Sequence, residues 1–125
     1  MIVVALDHIQ IAMPKGGEQE AREFYQDILG VPEVQKPAGL SGRGGAWFES
    51  GQVKIHLGVD DEFRPAKKAH PALVVTDLDE LIATLSRKGY VVTDDRNLSD
   101  VKRVFTHDPF GNRIELIQSA SGKPA

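Results

Sequence analysis

Along the first stretch of this chain polar and apolar side chains alternate, and then the period changes. From about Val3 to Met13, His8, Gln10 and Ala12 fall on one face and Ile9 and Ile11 on the other, the two-residue repeat of a half-buried strand. Pro14, Gly16 and Gly17 end it. From Glu18 to Leu29, Ala21, Phe24, Tyr25, Ile28 and Leu29 recur every three or four positions, which predicts an amphipathic helix stopped at Gly30. A strand over about 31–34, the glycine-rich run PAGLSGRGG, and strands over about 46–49 and 52–59 with a turn at Ser50-Gly51 complete the first half. The same order then returns. After the charged connector DDEFRPAKK, a strand over 71–76 leads to an N-cap at Asp77 and a helix with Leu78, Leu81, Ile82 and Leu85 on its inner face, stopped at Gly89. Strands over 90–93, 103–106 and 113–118 follow, the last two joined by the tight turn Asp108-Pro109-Phe110-Gly111-Asn112. The closing SASGKPA is polar and aperiodic, the pattern of a mobile tail.

The two halves also match in chemistry. His8 opens the first in LDHIQIAM and His70 the second in AHPALVV, 62 residues later; His56 in VKIHLGV and Glu115 in NRIELIQ are 59 apart. Such near-constant offsets indicate an internal duplication. Imidazole nitrogen and carboxylate oxygen are ordinary ligands of divalent transition metals, so one such group at each equivalent position suggests a single pseudo-symmetric metal centre. A lone histidine on a strand usually serves only its own hydrogen bonds. Four matched positions shift the balance toward metal, whereas His107, without a repeat counterpart, reads as a hairpin residue.

Strand parity agrees. Lys54, His56 and Gly58 share a face opposite Ile55 and Leu57, and Arg113, Glu115 and Ile117 share one opposite Ile114 and Leu116. The uniformly apolar faces are suited to helix packing, and the mixed faces to a solvated site.

Composition removes several alternatives. A chain of 125 residues suits one domain, and a net charge of −3 with scattered Lys and Arg gives nucleic acid no basic footprint. There is no cysteine, hence no disulfide framework or thiolate site, and the start MIVVALDHIQ has neither a basic leader nor a membrane-length apolar run. A cytoplasmic protein acting on a small molecule is the expectation. Arg43 in the glycine-rich loop and Arg64 and Lys67 in the connector, beside Lys68, are candidate binders of a substrate carboxylate or phosphate, against the plainer reading of a solvated linker. Trp47, Phe48 and Phe63 suit either an aromatic wall or the core. Motion of the loop over 37–45 would gate the site.

With LDHIQIAM, the helix ending FYQDILGV and the closing DPFGNRIELIQ on two strand-helix-three-strand copies, the chain resembles the vicinal oxygen chelate superfamily, which includes glyoxalase I, extradiol dioxygenases, fosfomycin-resistance enzymes and bleomycin-binding proteins. The resemblance covers roughly 6–118. It implies an α+β domain over 1–118 in which modules at about 4–59 and 69–118 form a curved mixed eight-stranded sheet with helices on the outer face, followed by the 119–125 tail. It further implies one divalent ion per site (Zn, Ni, Co, Mn or Fe), held by His8, His70 and Glu115, with His56 at a fourth position that is glutamate in glyoxalase I. In that reading His56 is a ligand or a base, and Glu115 acts in catalysis as well as in ligation. The activity implied is that of a glyoxalase-like enzyme whose ion polarises vicinal oxygens and stabilises an enediolate-like anion. The alternatives are a ferrous extradiol-type dioxygenase and a metal-free binding protein of the bleomycin-resistance type. A homodimer is expected, because small modules leave sheet edges to cover.

Overall fold

The computed structural model describes residues 1–94 and 102–120. It contains the eight expected strands in two four-stranded mixed sheets, each accompanied by helix, an α+β architecture. The chain divides into two compact units, Met1–Pro65 and a second beginning at Ala66. The boundary falls inside the charged connector.

In the first unit β1 (Ile9–Met13), β2 (Glu33–Val34), β3 (Ala46–Ser50) and β4 (Val53–Val59) stand in the order β1-β4-β3-β2, with β1 parallel to β4 and the other pairs antiparallel. Strand β1 starts six residues later than its apolar run suggested. With Ile9 opposite Ile55, anything upstream of Asp7 runs past the start of β4, so 1–6 has no ladder partner there. The predicted helix is present as α1 (Glu18–Ala21) continuing into a π-helical stretch, Arg22–Ile28, which closes on bonds from Leu29 N–H to the Phe24 carbonyl and from Val31 N–H to the Tyr25 carbonyl. Phe24 and Tyr25 are fully buried, and Tyr25 stacks on Phe48 with ring centroids 5.6 Å apart. With Ile11, Met13, Ile55 and Leu57 they form the unit's core, each worth about 1.5–3 kcal/mol of transfer free energy when fully buried.

The glycine-rich run is more ordered than its composition suggested. Residues Ala38–Arg43 form a 3-10 helix, and beyond it Gly45 donates its N–H to Glu18 Oε2 at 2.8 Å while Lys36 Nζ bonds the Gly44 carbonyl. Gly45 has φ +83°, and a Cβ there would lie 2.1 Å from the Leu57 carbonyl oxygen, so only glycine permits this approach. The hydrogen bond from Gly45 holds the Glu18 carboxyl below the usual range.

In the second unit β5 (Ala72–Val75), β6 (Thr93–Asp94), β7 (Arg103–His107) and β8 (Arg113–Gln118) stand in the equivalent order β5-β8-β7-β6, again with the first pair parallel. Helix α2 (Leu78–Arg87) is capped as expected, Asp77 accepting from Glu80 N–H at 3.2 Å. Its Leu78 and Leu85, with Val104, Ile114 and Leu116, are buried. Strand β6 is displaced from the expected 90–93 because Tyr90 N–H is used to close the helix end on the Leu85 carbonyl. In the turn after His107, Asp108 accepts the N–H groups of Phe110 and Asn112, both at 2.9 Å, and His107 itself pairs with Arg113 at the hairpin's end. Residues 121–125 of the expected tail lie outside the described residues. Among the described residues, no helix is long and apolar enough to cross a membrane.

Candidate functional site

Alternation along β4 and β8 puts His56 and Glu115 on the face that parity predicts, while His8 and His70 lie just before β1 and β5. In the first unit Ile55 and Leu57 turn into the core at 1% exposure, so Lys54, His56 and Gly58 take the opposite face of the sheet. Cross-strand register sets Trp47 and Gln10 on either side of His56. The His56 ring lies parallel to Trp47, centroids 3.7 Å apart and planes 1° apart, and also stacks with His8 at 4.4 Å. His56 is thereby 96% covered despite facing away from the apolar core, being 4% exposed. Its Nε2 donates to Glu49 Oε2 at 2.6 Å. His8, immediately before β1, donates from Nδ1 to Asp7 Oδ1 at 2.8 Å. That bond, followed by the charge of Lys54, holds the Asp7 carboxyl below its ordinary value.

The second unit builds its pair differently. His70 precedes β5 and has its Nδ1 2.9 Å from the Lys68 carbonyl and its Nε2 2.9 Å from Glu115 Oε1. Glu115, 6% exposed, also accepts from Arg103 Nη1 at 2.7 Å. Phe105, opposite Glu115 on β7, sits edge-on to His70 and beneath the Arg113 guanidinium, 4.1 Å from its ring centroid. Arg103 Nε is buried with no hydrogen-bond partner among the described residues.

These contacts test whether the side chains suit a metal ion. A metal-bound histidine ordinarily donates its other ring N–H to a carboxylate or backbone carbonyl, which fixes the tautomer. His8 and His56 each do so with a carboxylate, leaving one ring nitrogen apiece as a lone pair. At His70 both nitrogens face oxygen acceptors, and a neutral imidazole has one proton to offer. Whichever nitrogen carries that proton, the lone pair of the other faces an oxygen. The 2.9 Å separation is close to the roughly 3 Å expected of two neighbouring octahedral ligands, each about 2.1 Å from an ion. The donors fit the group, although among the described residues no three His, Asp or Glu side chains form a ready-made cluster. Within the first unit His8 lies against His56, and within the second His70 lies against Glu115.

The first unit also holds an open cavity of about 640 Å³ lined by Gln10, Ala12, Gly58, Val59, Asp60, Asp61 and Glu62. A Cβ on Gly58 would meet Gln10 Nε2 at 2.0 Å, so this glycine makes room for the Gln10 side chain. Arg43, Arg64 and Lys67 are exposed, and none lines the cavity, whose charged wall is acidic. Trp47 belongs to the site face; Phe48 belongs to the core. Sequence reasoning missed Asp7, Glu49 and Arg103. Parity on β3 and β7 held the signal for two of them, since Glu49 shares a face with Trp47 and Arg103 with Phe105.

The chain is similar to known proteins in both sequence profile and structure. A profile of the Glyoxalase/Bleomycin resistance protein/Dioxygenase superfamily matches residues 5–116. The crystal structure of a glyoxalase family protein from Bacillus anthracis superposes with a TM-score of 0.89 at 45% identity, over 95% of this chain and 98% of that one. A glyoxalase/dioxygenase from Nostoc punctiforme (TM-score 0.74, 21% identity, 97% and 92% covered) and lactoylglutathione lyase from Agrobacterium tumefaciens (0.70, 20%, 92% and 93%) share the fold. No curated protein matches.

Proposed function

Since the chain belongs to the Glyoxalase/Bleomycin resistance protein/Dioxygenase superfamily, we propose that it is a metal-dependent, glyoxalase-like enzyme acting on a small oxygen-rich metabolite. The observation that carries this reading is the hydrogen bonding of the three histidines. Each has one ring nitrogen committed to an oxygen acceptor, and the remaining nitrogen of His70 points at a buried carboxylate.

In this reading His8, His70 and Glu115 hold the ion, with His56 as the fourth group. A bound divalent ion of the Zn, Ni, Co, Mn or Fe type would supply Lewis acidity toward adjacent substrate oxygens. The chain's own part is orientation. Asp7 and Glu49 fix the imidazoles of the first unit, Arg103 holds the Glu115 carboxylate through Oε2 and leaves Oε1 toward His70, and the Trp47 ring keeps water from one face of His56. We further propose a homodimer. In support, Val3, Val4 and Leu6 are large apolar residues exposed at 71%, 88% and 84%.

Elemental analysis of protein purified without chelator tests the metal reading. About one divalent ion per chain is expected. Iron with oxygen uptake on catechol-like substrates would move the assignment to a dioxygenase, and substrate binding by protein that takes up no divalent ion would move it to a metal-free binding protein.

A further inference from the structure

The resemblance to glyoxalase I expects a carboxylate where this chain has His56, and the exchange removes one negative charge from the half-site. A carboxylate nevertheless reaches it from the neighbouring strand. Glu49 Oε2 lies 2.6 Å from His56 Nε2, and Glu49 is on β3, two residues beyond Trp47, on the same face. We propose that Glu49 is a positioning residue of this half-site. It locks His56 as the Nε2–H tautomer, presents Nδ1 as that ring's single lone pair, and restores behind the imidazole the charge that the imidazole itself lacks. The proposal rests on the metal reading only for the last of these consequences.

Three observations converge on it. An ionised carboxylate only accepts hydrogen bonds, so the ring nitrogen facing it carries the proton. The ring is confined between Trp47, parallel at 3.7 Å, and His8 at 4.4 Å, and turning it over would put Cε1 rather than Nε2 against Glu49. Burial supplies the third. At 4% exposure His56 has little water to substitute for Glu49, so loss of the carboxylate leaves its proton without an acceptor and frees the other tautomer.

Nitrogen-15 NMR of the imidazoles at pH 8, in metal-free protein, reads the tautomer directly. Wild type and Glu49→Gln should both show His56 protonated at Nε2, because the glutamine carbonyl can still accept; Glu49→Ala should shift the population toward Nδ1–H. Zinc affinity, measured by calorimetry with Zn²⁺ alone, should fall about 10- to 100-fold in Glu49→Ala. Glu49→Gln, which keeps the acceptor and loses the charge, should fall between the two. An Nδ1–H tautomer in wild type, or an unchanged Nε2–H population in Glu49→Ala, overturns the proposal. Should wild type bind no zinc, the metal reading fails while the tautomer comparison still decides the role of Glu49. Should Glu49→Ala not fold, Glu49→Gln decides: losing the Nε2–H tautomer in it refutes the role, and keeping it with weakened zinc binding supports it.

Discussion

The two units share a strand order and a parallel first pair, yet they treat the same position in opposite ways. On β8 it holds Glu115, a buried carboxylate met by two bases, His70 and Arg103. On β4 it holds His56, a buried imidazole met by an acid, Glu49, and clamped by two rings. In each case the group facing away from the apolar core is almost fully covered, and a side chain from the adjacent strand supplies its complement. The duplicated scaffold therefore specifies place and burial, while the neighbouring strand decides the charge that a place can carry.

If the second unit depends on its ion pair, Glu115→Ala should have the largest effect. It leaves the half-buried Arg103 guanidinium without its carboxylate, and loss of about 2 kcal/mol is expected from the urea midpoint. A change within error would mean that Arg103 finds another partner and that the pairing is incidental. Among its described residues the first unit has no such buried ion pair on strong bases, so its sensitive element is the ring stack. Trp47→Ala should cost about 1–2 kcal/mol and should broaden the His56 ring resonances. Unchanged stability would show the parallel stack to be a by-product of strand register.

A smaller effect is expected in the first unit at low pH. Glu18, whose carboxyl is held low by Gly45 N–H, belongs only to the first unit; the segment in the corresponding place of the second, 95–101, lies outside the described residues. Because the folded value is depressed, the stabilisation is present above the ordinary glutamate range and is lost as the pH falls through the lowered value. Glu18→Gln should therefore flatten the acid limb of the stability profile by under about 1 kcal/mol, with little change at its foot. A profile with the wild-type slope would remove Glu18 from the acid response.

Most of the fold was legible because it rests on periodicity. The apolar faces at Ile55 and Leu57 and at Ile114 and Leu116, the stops at Gly30 and Gly89, and the Asp77 cap are all local signals. Where tertiary pairing decides, the sequence was less informative. The start of β1 depends on where β4 begins, and β6 moved because Tyr90 closes a helix. The repeat made His8, His56, His70 and Glu115 visible as a set. Glu49 and Arg103 escaped because neither has a repeat counterpart of its own kind, and their importance comes from register across strands rather than from spacing along one.

Dimerisation and site sharing can be read together. Mixing His8→Ala with Glu115→Gln chains should regenerate some intact sites if each centre draws on two chains, and sedimentation should show a dimer at micromolar concentration. A monomer would contradict the dimer, and a proven mixed dimer without regained zinc binding would place each centre within one chain.

The central proposal is that His8, His56, His70 and Glu115 bind one divalent ion. Calorimetric titration of Zn²⁺ or Ni²⁺ into wild type, His8→Ala and His70→Ala tests it most directly. Wild type should bind one ion per chain, and both variants, one altered in each unit, should lose most of the affinity while keeping their thermal midpoints. Full wild-type affinity in either variant would contradict the account, because one unit would then bind the ion unaided.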